Sequence, residues 1–361
     1  MIIKELSIKN FRNYLTGNIN FDKNANIIYG DNAQGKTNIL EAIFMCATTK
    51  SQRTRYDKEM IKFNESDAHI RSVIEKLDKE FVIDIHLKNN GSKGVAINKY
   101  VISKVSELFD IVDIVFFAPE DLNIIRNSPS DRRKWLDYKL SSISRNYYNA
   151  LLNYNKALKN RNIILHNLDN KSDIKDTLFV WDSQLINYGS KIISYRRDFI
   201  KKINEIIEPV HRDISGNRDK LNIIYSNNVD ESNYQKKLNL SFDRDKKLMF
   251  TTVGPHKDDI IFIVNGKDAK HFASVGQQKT VIVALKLSEI VLIDENKNDK
   301  PILLLDDVLS ELDSKRQNQL MSNIKDIQTI ITCTGVDDFV KMRYNINRLF
   351  YVENGTVKPA R

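Results

Sequence analysis

The run Gly30-Asp31-Asn32-Ala33-Gln34-Gly35-Lys36-Thr37 sets glycines, a lysine and a hydroxyl at the spacing G-x-x-x-x-G-K-T. Before it, Asn26-Ile27-Ile28-Tyr29 reads as a strand; after it, Asn38 to Ile43 opens a helix. A glycine turn between strand and helix leaves backbone N–H groups unpaired at the positive end of a helix dipole, which favours phosphate. Residues Gly30 to Thr37 are therefore expected to cradle a polyphosphate. Lys36 would contact its terminal phosphates, and the Thr37 hydroxyl would ligate Mg2+.

A second run, Pro301-Ile302-Leu303-Leu304-Leu305-Asp306-Asp307, ends an apolar stretch in paired carboxylates. A central strand of this kind delivers Asp306 beside the phosphates, where it would hold Mg2+ through water. Asp307 then stands where a base or water-orienting carboxylate belongs. By itself the pattern is common, and a strand end followed by a capping residue would look the same. The phosphate loop makes the catalytic reading of Lys36, Asp306 and Asp307 the stronger one.

Two shorter segments narrow the choice. Phe272-Ala273-Ser274-Val275-Gly276-Gln277-Gln278-Lys279 lies ahead of the Asp306 strand and opens a helix. It resembles the L-S-G-G-Q signature of ABC ATPases, with Ser274, Gly276 and Gln277 matching; an ordinary helix cap is the plainer alternative. Leu309-Ser310-Glu311-Leu312-Asp313 resembles the S-x-L-D loop of the same superfamily, with Ser310 and Asp313 in its key places. The resemblance implies that the Ser274 segment caps a γ-phosphate held by a second protomer, and that the Ser310 loop runs along the dimer seam.

In this order the motifs resemble the SMC-type branch of ABC ATPases, and within it the RecF family. Ile8-Lys9-Asn10-Phe11-Arg12-Asn13-Tyr14 is similar to the family's opening, where the arginine, here Arg12, approaches the nucleotide. Further likeness lies in Phe117 to Leu122, Ser128 to Asp137 and Thr252 to Asp259. The resemblance implies ATP with Mg2+ as cofactor and an ATP-driven head-to-head homodimer. It also implies binding of duplex or junction DNA in recombinational repair and replication restart, and a partnership with RecR. The chain departs from most ABC proteins at Asp307, where they carry Glu, so slow hydrolysis is expected, and the resemblance implies that DNA stimulates it. Ile331 to Gly335 offers no switch histidine, and Val115 to Asp121 offers no glutamine for the γ-phosphate.

Elements must position these groups. Residues 1–118 read as short strands with one helix; Phe81 to Leu87 alternates with period 2 before the turn at Asn90-Gly91. Between Pro129 and Pro209 apolar residues recur at helical spacing, from Trp135 to Tyr154 and from Leu178 to Ile206, with a polar separator at Asn167 to Asp173. That pattern predicts long paired helices, for which a packed core is sufficient explanation. Past residue 213, Ile260 to Val264, Ile302 to Leu305 and Thr329 to Thr332 alternate with helical stretches, predicting a mostly parallel sheet. The expected fold is α/β, an ABC/SMC-type head with a strand-rich lobe and an inserted helical arm. Residues 1–118 and 213–361 form the head, and 119–212 the arm.

Across 361 residues the net charge is +9, which suits phosphate backbones. Among the basic clusters, Lys50, Arg53 and Arg55 are the expected DNA contacts, since they follow the phosphate-loop helix; Arg132 to Lys134, Arg196-Arg197 and Lys201-Lys202 are weaker candidates, and solvated surface charge is the plainer alternative for each. Nothing suggests base-specific reading. Cys46 and Cys333 read as buried thiols in a reducing compartment. No apolar run is long enough for a membrane span, and the start carries no signal-peptide pattern, so a cytoplasmic location is expected. Asn296-Lys297-Asn298-Asp299 matches a guanine-reading motif but falls outside a strand end. A transporter ATPase subunit and a structural SMC-like clamp are the alternatives. The first expects a glutamine loop and switch histidine, and the second a far longer helical insert.

Overall fold

The computed structural model describes residues 1–167, 174–335 and 346–360. Most of the polar separator in the helical region, residues 168–173, therefore lies outside the described residues. Two compact units emerge: residues 1–121 with 283–361, and residues 122–282.

The first unit begins with β1 (Ile2–Phe11), β2 (Tyr14–Asn20), β3 (Ala25–Tyr29) and α1 (Lys36–Thr48). Then come β4 (Asp67–Lys76), β5 (Lys79–Lys88), β6 (Lys93–Ile97), β7 (Tyr100–Val101) and β8 (Ile114–Phe117). An antiparallel sheet runs in the order β2-β1-β4-β5-β6-β7. In β5, Ile83, Ile85 and Leu87 are fully buried while Asp84 and His86 between them are not. The period-2 pattern thus lays one face on the core, as the sequence predicts.

The second unit carries α2 (Asn123–Arg126), α3 (Pro129–Ile143), α4 (Arg145–His166), α5 (Ile174–Ser215), β9 (Leu221–Ser226), α6 (Tyr234–Leu240) and α7 (Phe242–Leu248). It continues through β10 (Asp259–Val264), β11 (Lys267–Asp268) and α8 (Ala269–Phe272) into α9 (Val275–Lys297), which ends in the first unit. Tyr147, Tyr154, Leu185, Ile192 and Ile203 are buried, so the helical stripe is core. Here the expected boundaries need correcting. Residues 213–282, predicted in the head, pack with the helices because the Asn204 side chain of α5 both donates to and accepts from Ile223 of β9 at 2.8 Å. Ile260 to Val264 also leaves the parallel sheet; it pairs antiparallel with β9 and β11, burying alternate residues.

The chain returns through β12 (Ile302–Asp306), α10 (Ser314–Asn323), β13 (Thr329–Cys333), β14 (Arg348–Glu353) and β15 (Thr356–Pro359). Their sheet runs β15-β14-β3-β13-β12-β8, parallel from β14 to β8 and antiparallel at β15. Every residue of β8, β12 and β13 is buried, because both faces of the sheet are covered. Each such Leu or Ile contributes about 1.5–3 kcal/mol. Parallel strands end at one edge, and that edge is where ligands bind in such sheets. Cys46 and Cys333 are both buried, and among the described residues neither forms a disulfide. No described helix is both long and apolar enough to cross a membrane.

Candidate nucleotide site

The loop between β3 and α1 is built from backbone that side chains would obstruct. Gly30 has φ 152°, and a Cβ there would lie 2.3 Å from the Val352 carbonyl oxygen. Gly35 has φ 113°, and its Cβ would meet the Asn13 side chain at 2.6 Å. Ala33 adopts φ 65°. Neighbours hold this conformation. Tyr14 Oη donates to Gly35 O (3.0 Å), Asn13 Nδ2 to Gln34 O (2.8 Å), and Asn354 N to Gln34 Oε1 (2.6 Å). No side chain caps α1 at Gly35, so its first N–H groups remain for an anion. Asp31 and Asn32 are exposed, whereas Lys36 is buried with Nζ donating to Gly30 O and Asp31 O at 2.7 Å.

Asp306 arrives at the end of β12. Its Oδ1 accepts from Thr37 Oγ1 (2.9 Å) and from Thr332 Oγ1 (2.7 Å). Burial pushes its pKa up, the two hydroxyls oppose that shift, and the charges of Glu120 and Asp307 add to it. A buried carboxylate raised by other acids is a place where a cation binds favourably. Asp307 sits at φ 51°, an uncommon conformation for a residue with a Cβ. Its N–H donates to Thr332 Oγ1 (3.0 Å), and its Oδ1 accepts from Ser310 Oγ (3.2 Å). The predicted base and the predicted seam loop are thus one hydrogen-bonded piece. Asp313 caps α10 by accepting from Arg316 N (3.0 Å).

Arg12 is engaged with α1. Its fork grips Glu41 of α1, Nε to Oε2 at 2.8 Å and Nη2 to Oε1 at 2.6 Å, while Nη1 donates to Glu59 O. Glu41 also accepts from Ser51 Oγ. Arg53 donates to Asn38 Oδ1 (2.9 Å), and Asn38 Nδ2 donates to Asn13 Oδ1 (2.8 Å). The basic stretch is therefore tied to the first turn of α1 and, through Asn13, to the phosphate loop. Lys50, Arg53 and Arg55 are exposed. The other basic clusters are not equivalent: Arg132 pairs with Asp259, and Arg196 with Asp137 and Asp258, inside the second unit.

Ser274, Gly276 and Gln277 open α9 in the second unit. Gln277 N donates to Ser274 Oγ (3.2 Å) and Ser274 N to Gln277 Oε1 (3.0 Å), a reciprocal capping box. The plainer alternative, a helix cap, is thus what the single chain shows, and Ser274 itself is exposed. Asn296 and Lys297 finish α9; Lys297 Nζ pairs with Asp113 (2.6 Å), and Asp299 with the N-terminal amine (2.7 Å). Those contacts explain the guanine-like motif structurally.

Thr332, Asn13 and Tyr14 were not singled out as site residues by the sequence. A threonine at the end of a buried apolar strand was the available signal for Thr332. Asn13 and Tyr14 lie within the Ile8 to Tyr14 stretch, but spacing gives no hint that they clamp the loop.

A hydroxyl and a carboxylate are hard oxygen donors suited to Mg2+, which completes its shell with water and phosphate oxygens. The loop, Lys36, Thr37 and Asp306 thus fit a nucleoside triphosphate with Mg2+. Residues 2–358 match the model of the RecF/RecN/SMC N-terminal domain. The chain is 52% identical over 358 residues to the DNA replication and repair protein RecF of Agathobacter rectalis, covering 99% of each. Over 366 residues it is 40% identical to that of Clostridium tetani, covering 98% and 99%. A solved structure of the recombination mediator protein RecF with ATP superposes with a TM-score of 0.93 at 34% identity, covering 99% of this chain and 97% of the other. An SMC head bound to the C-terminal winged-helix domain of ScpA superposes with a TM-score of 0.59 at 17% identity, a likeness of fold.

Proposed function

The chain belongs to the RecF family of the RecF/RecN/SMC group, and from that membership we infer that it is an ATP-dependent DNA-binding protein of recombinational repair and replication restart. The observation that carries this reading is the 2.9 Å hydrogen bond between Thr37 and Asp306, residues 269 positions apart that meet beside the phosphate loop. Gly30 to Thr37, with Lys36 among them, would bind the triphosphate; Thr37 and Asp306 would hold Mg2+, which would supply positive charge to the phosphate oxygens. Asp307 accepts a proton from, or orients, the attacking water. Its shorter reach than glutamate favours slow turnover, so hydrolysis serves as a reset.

Closure of the site requires a second copy. Ser274, exposed with an α9 N-terminus behind it, covers the partner's terminal phosphate, and the Ser310 loop, bonded to Asp307, reports that contact to the base. DNA lies on the exposed Lys50, Arg53 and Arg55, reading phosphates rather than bases. The tie of Arg53 to α1 through Asn38 gives DNA a route to stimulate the ATPase. RecR is the expected protein partner, and the cytoplasm the expected location. Filter binding of duplex and gapped DNA, with and without ATP across a salt series, tests the reading. ATP should tighten binding, and Arg53→Ala should lower the log–log salt slope by about one. Equal DNA affinity with and without ATP would sink the switch.

A further inference from the structure

The segments Ser128 to Asp137 and Thr252 to Asp259 contribute nothing to the nucleotide site, yet they enclose a cavity of about 260 Å³. Arg133 and Asp137 of α3, Tyr154 of α4, Arg196 of α5 and the Pro255-His256 turn line it. The His256–Tyr154 pair in its lining is uncharged. Thr251 O accepts from His256 Nε2 (2.9 Å), so Nδ1 carries no hydrogen and accepts from Tyr154 Oη (2.7 Å). Burial holds the His256 pKa down to about 4.

The two guanidiniums of this cavity differ. Arg196, 2% exposed, donates from all three nitrogens: to Asp137 (2.7 Å), Asp258 (3.0 Å), Pro255 O (2.7 Å) and Tyr147 (3.2 Å). Arg133 is half-buried and donates once, Nη1 to Asp258 O at 2.6 Å. Among the described residues the rest of its fork meets no acceptor. Burial, and then the charge of Arg196, lowers its pKa. The charges of Asp137, Asp258 and Asp259 oppose that shift without filling the fork, so a partly desolvated cation keeps N–H groups open to a further acceptor.

We propose that this cavity receives the carboxylate of a partner polypeptide's Asp or Glu side chain, gripped by the free edge of Arg133, with an adjoining apolar residue against Leu151, Ile192 and Pro255. A planar guanidinium edge matches a carboxylate bidentately. Asp137 in the wall disfavours a dianion such as phosphate. The volume lies below the roughly 300–1,000 Å³ of small-molecule pockets, which suits side chains rather than a nucleotide.

Saturation-transfer NMR with the full chain and N-acetyl-leucyl-glutamic acid amide tests this, against N-acetyl-leucyl-glutamine amide and inorganic phosphate. The glutamate probe should bind at least about ten-fold more tightly than either comparator. Arg133→Ala should abolish that preference, with melting temperature as the check on folding. Asn155→Trp, at the exposed rim, should block the mouth while leaving the buried network intact. Equal binding of the glutamine probe, preference for phosphate, or full binding by either variant would overturn the assignment.

Discussion

In the helical unit, deeply buried cations find their acids inside the protein. Arg161 meets Asp182 (2.6 Å) and Asp245 (2.7 Å), and Arg196 meets Asp137 and Asp258. At the sheet edge of the other unit the arrangement is reversed. Lys36 is held by backbone carbonyls and Asp306 by hydroxyls, and among the described residues neither is paired with a side chain of opposite charge. The first pattern spends charge on holding helices together; the second keeps charge in reserve for a ligand. Buried charge therefore marks function only where its partners are weaker than a full counter-ion.

The largest expected effect lies in the saturated region. Arg196→Ala strips Asp137 and Asp258 of their shared cation and should cost about 3–5 kcal/mol, read by urea unfolding. Loss below about 1 kcal/mol would show that the network is not under strong mutual dependence. His256 comes next. Its folded pKa, about 4, lies below the ordinary 6.5, so the neutral ring contributes stability above pH 6.5 that is lost as pH falls through 4. The full swing is about 3 kcal/mol, and His256→Gln should flatten it in stability measured against pH. In the reserve region Lys36→Ala should weaken ATP binding roughly 100-fold, about 2.7 kcal/mol, with little change in melting temperature. A large drop in melting temperature instead would make Lys36 a structural residue. Smallest is Glu41→Gln, which neutralises the acid shared by Arg12 and Ser51 and should loosen the basic loop, weakening DNA binding by a few-fold, about 1 kcal/mol.

The phosphate loop and Asp306 were legible in the sequence because each depends on local order: strand, turn and helix in succession, or an apolar strand ending in an acid. The antiparallel lobe was legible for the same reason, since β5 alternates strictly. What escaped depends on distant contacts. Ile260 to Val264 looks like a buried parallel strand because its residues are apolar; only pairing with β9 reveals half-exposed alternation. The extent of the second unit was missed because helix spacing stops at residue 212, whereas Asn204 binds the β-sheet beyond it. Basic clusters misled most. Arg132 and Arg196 read as weaker DNA-contact candidates, yet their acids come from distant segments that no spacing rule connects.

Complementation between two defective copies bears most directly on closure of the nucleotide by a second protomer. Lys36→Ala alone and Ser274→Arg alone should stay monomeric with a non-hydrolysable ATP analogue. Mixed in equal amounts, they regain one intact composite site, an unaltered loop from one copy beneath an unaltered Ser274 from the other. Sedimentation of the mixture should then reveal a nucleotide-dependent dimer. If the mixture stays monomeric while the unaltered protein dimerises, or if Ser274→Arg dimerises unaided, the covering group does not come from the second copy and the central claim is wrong.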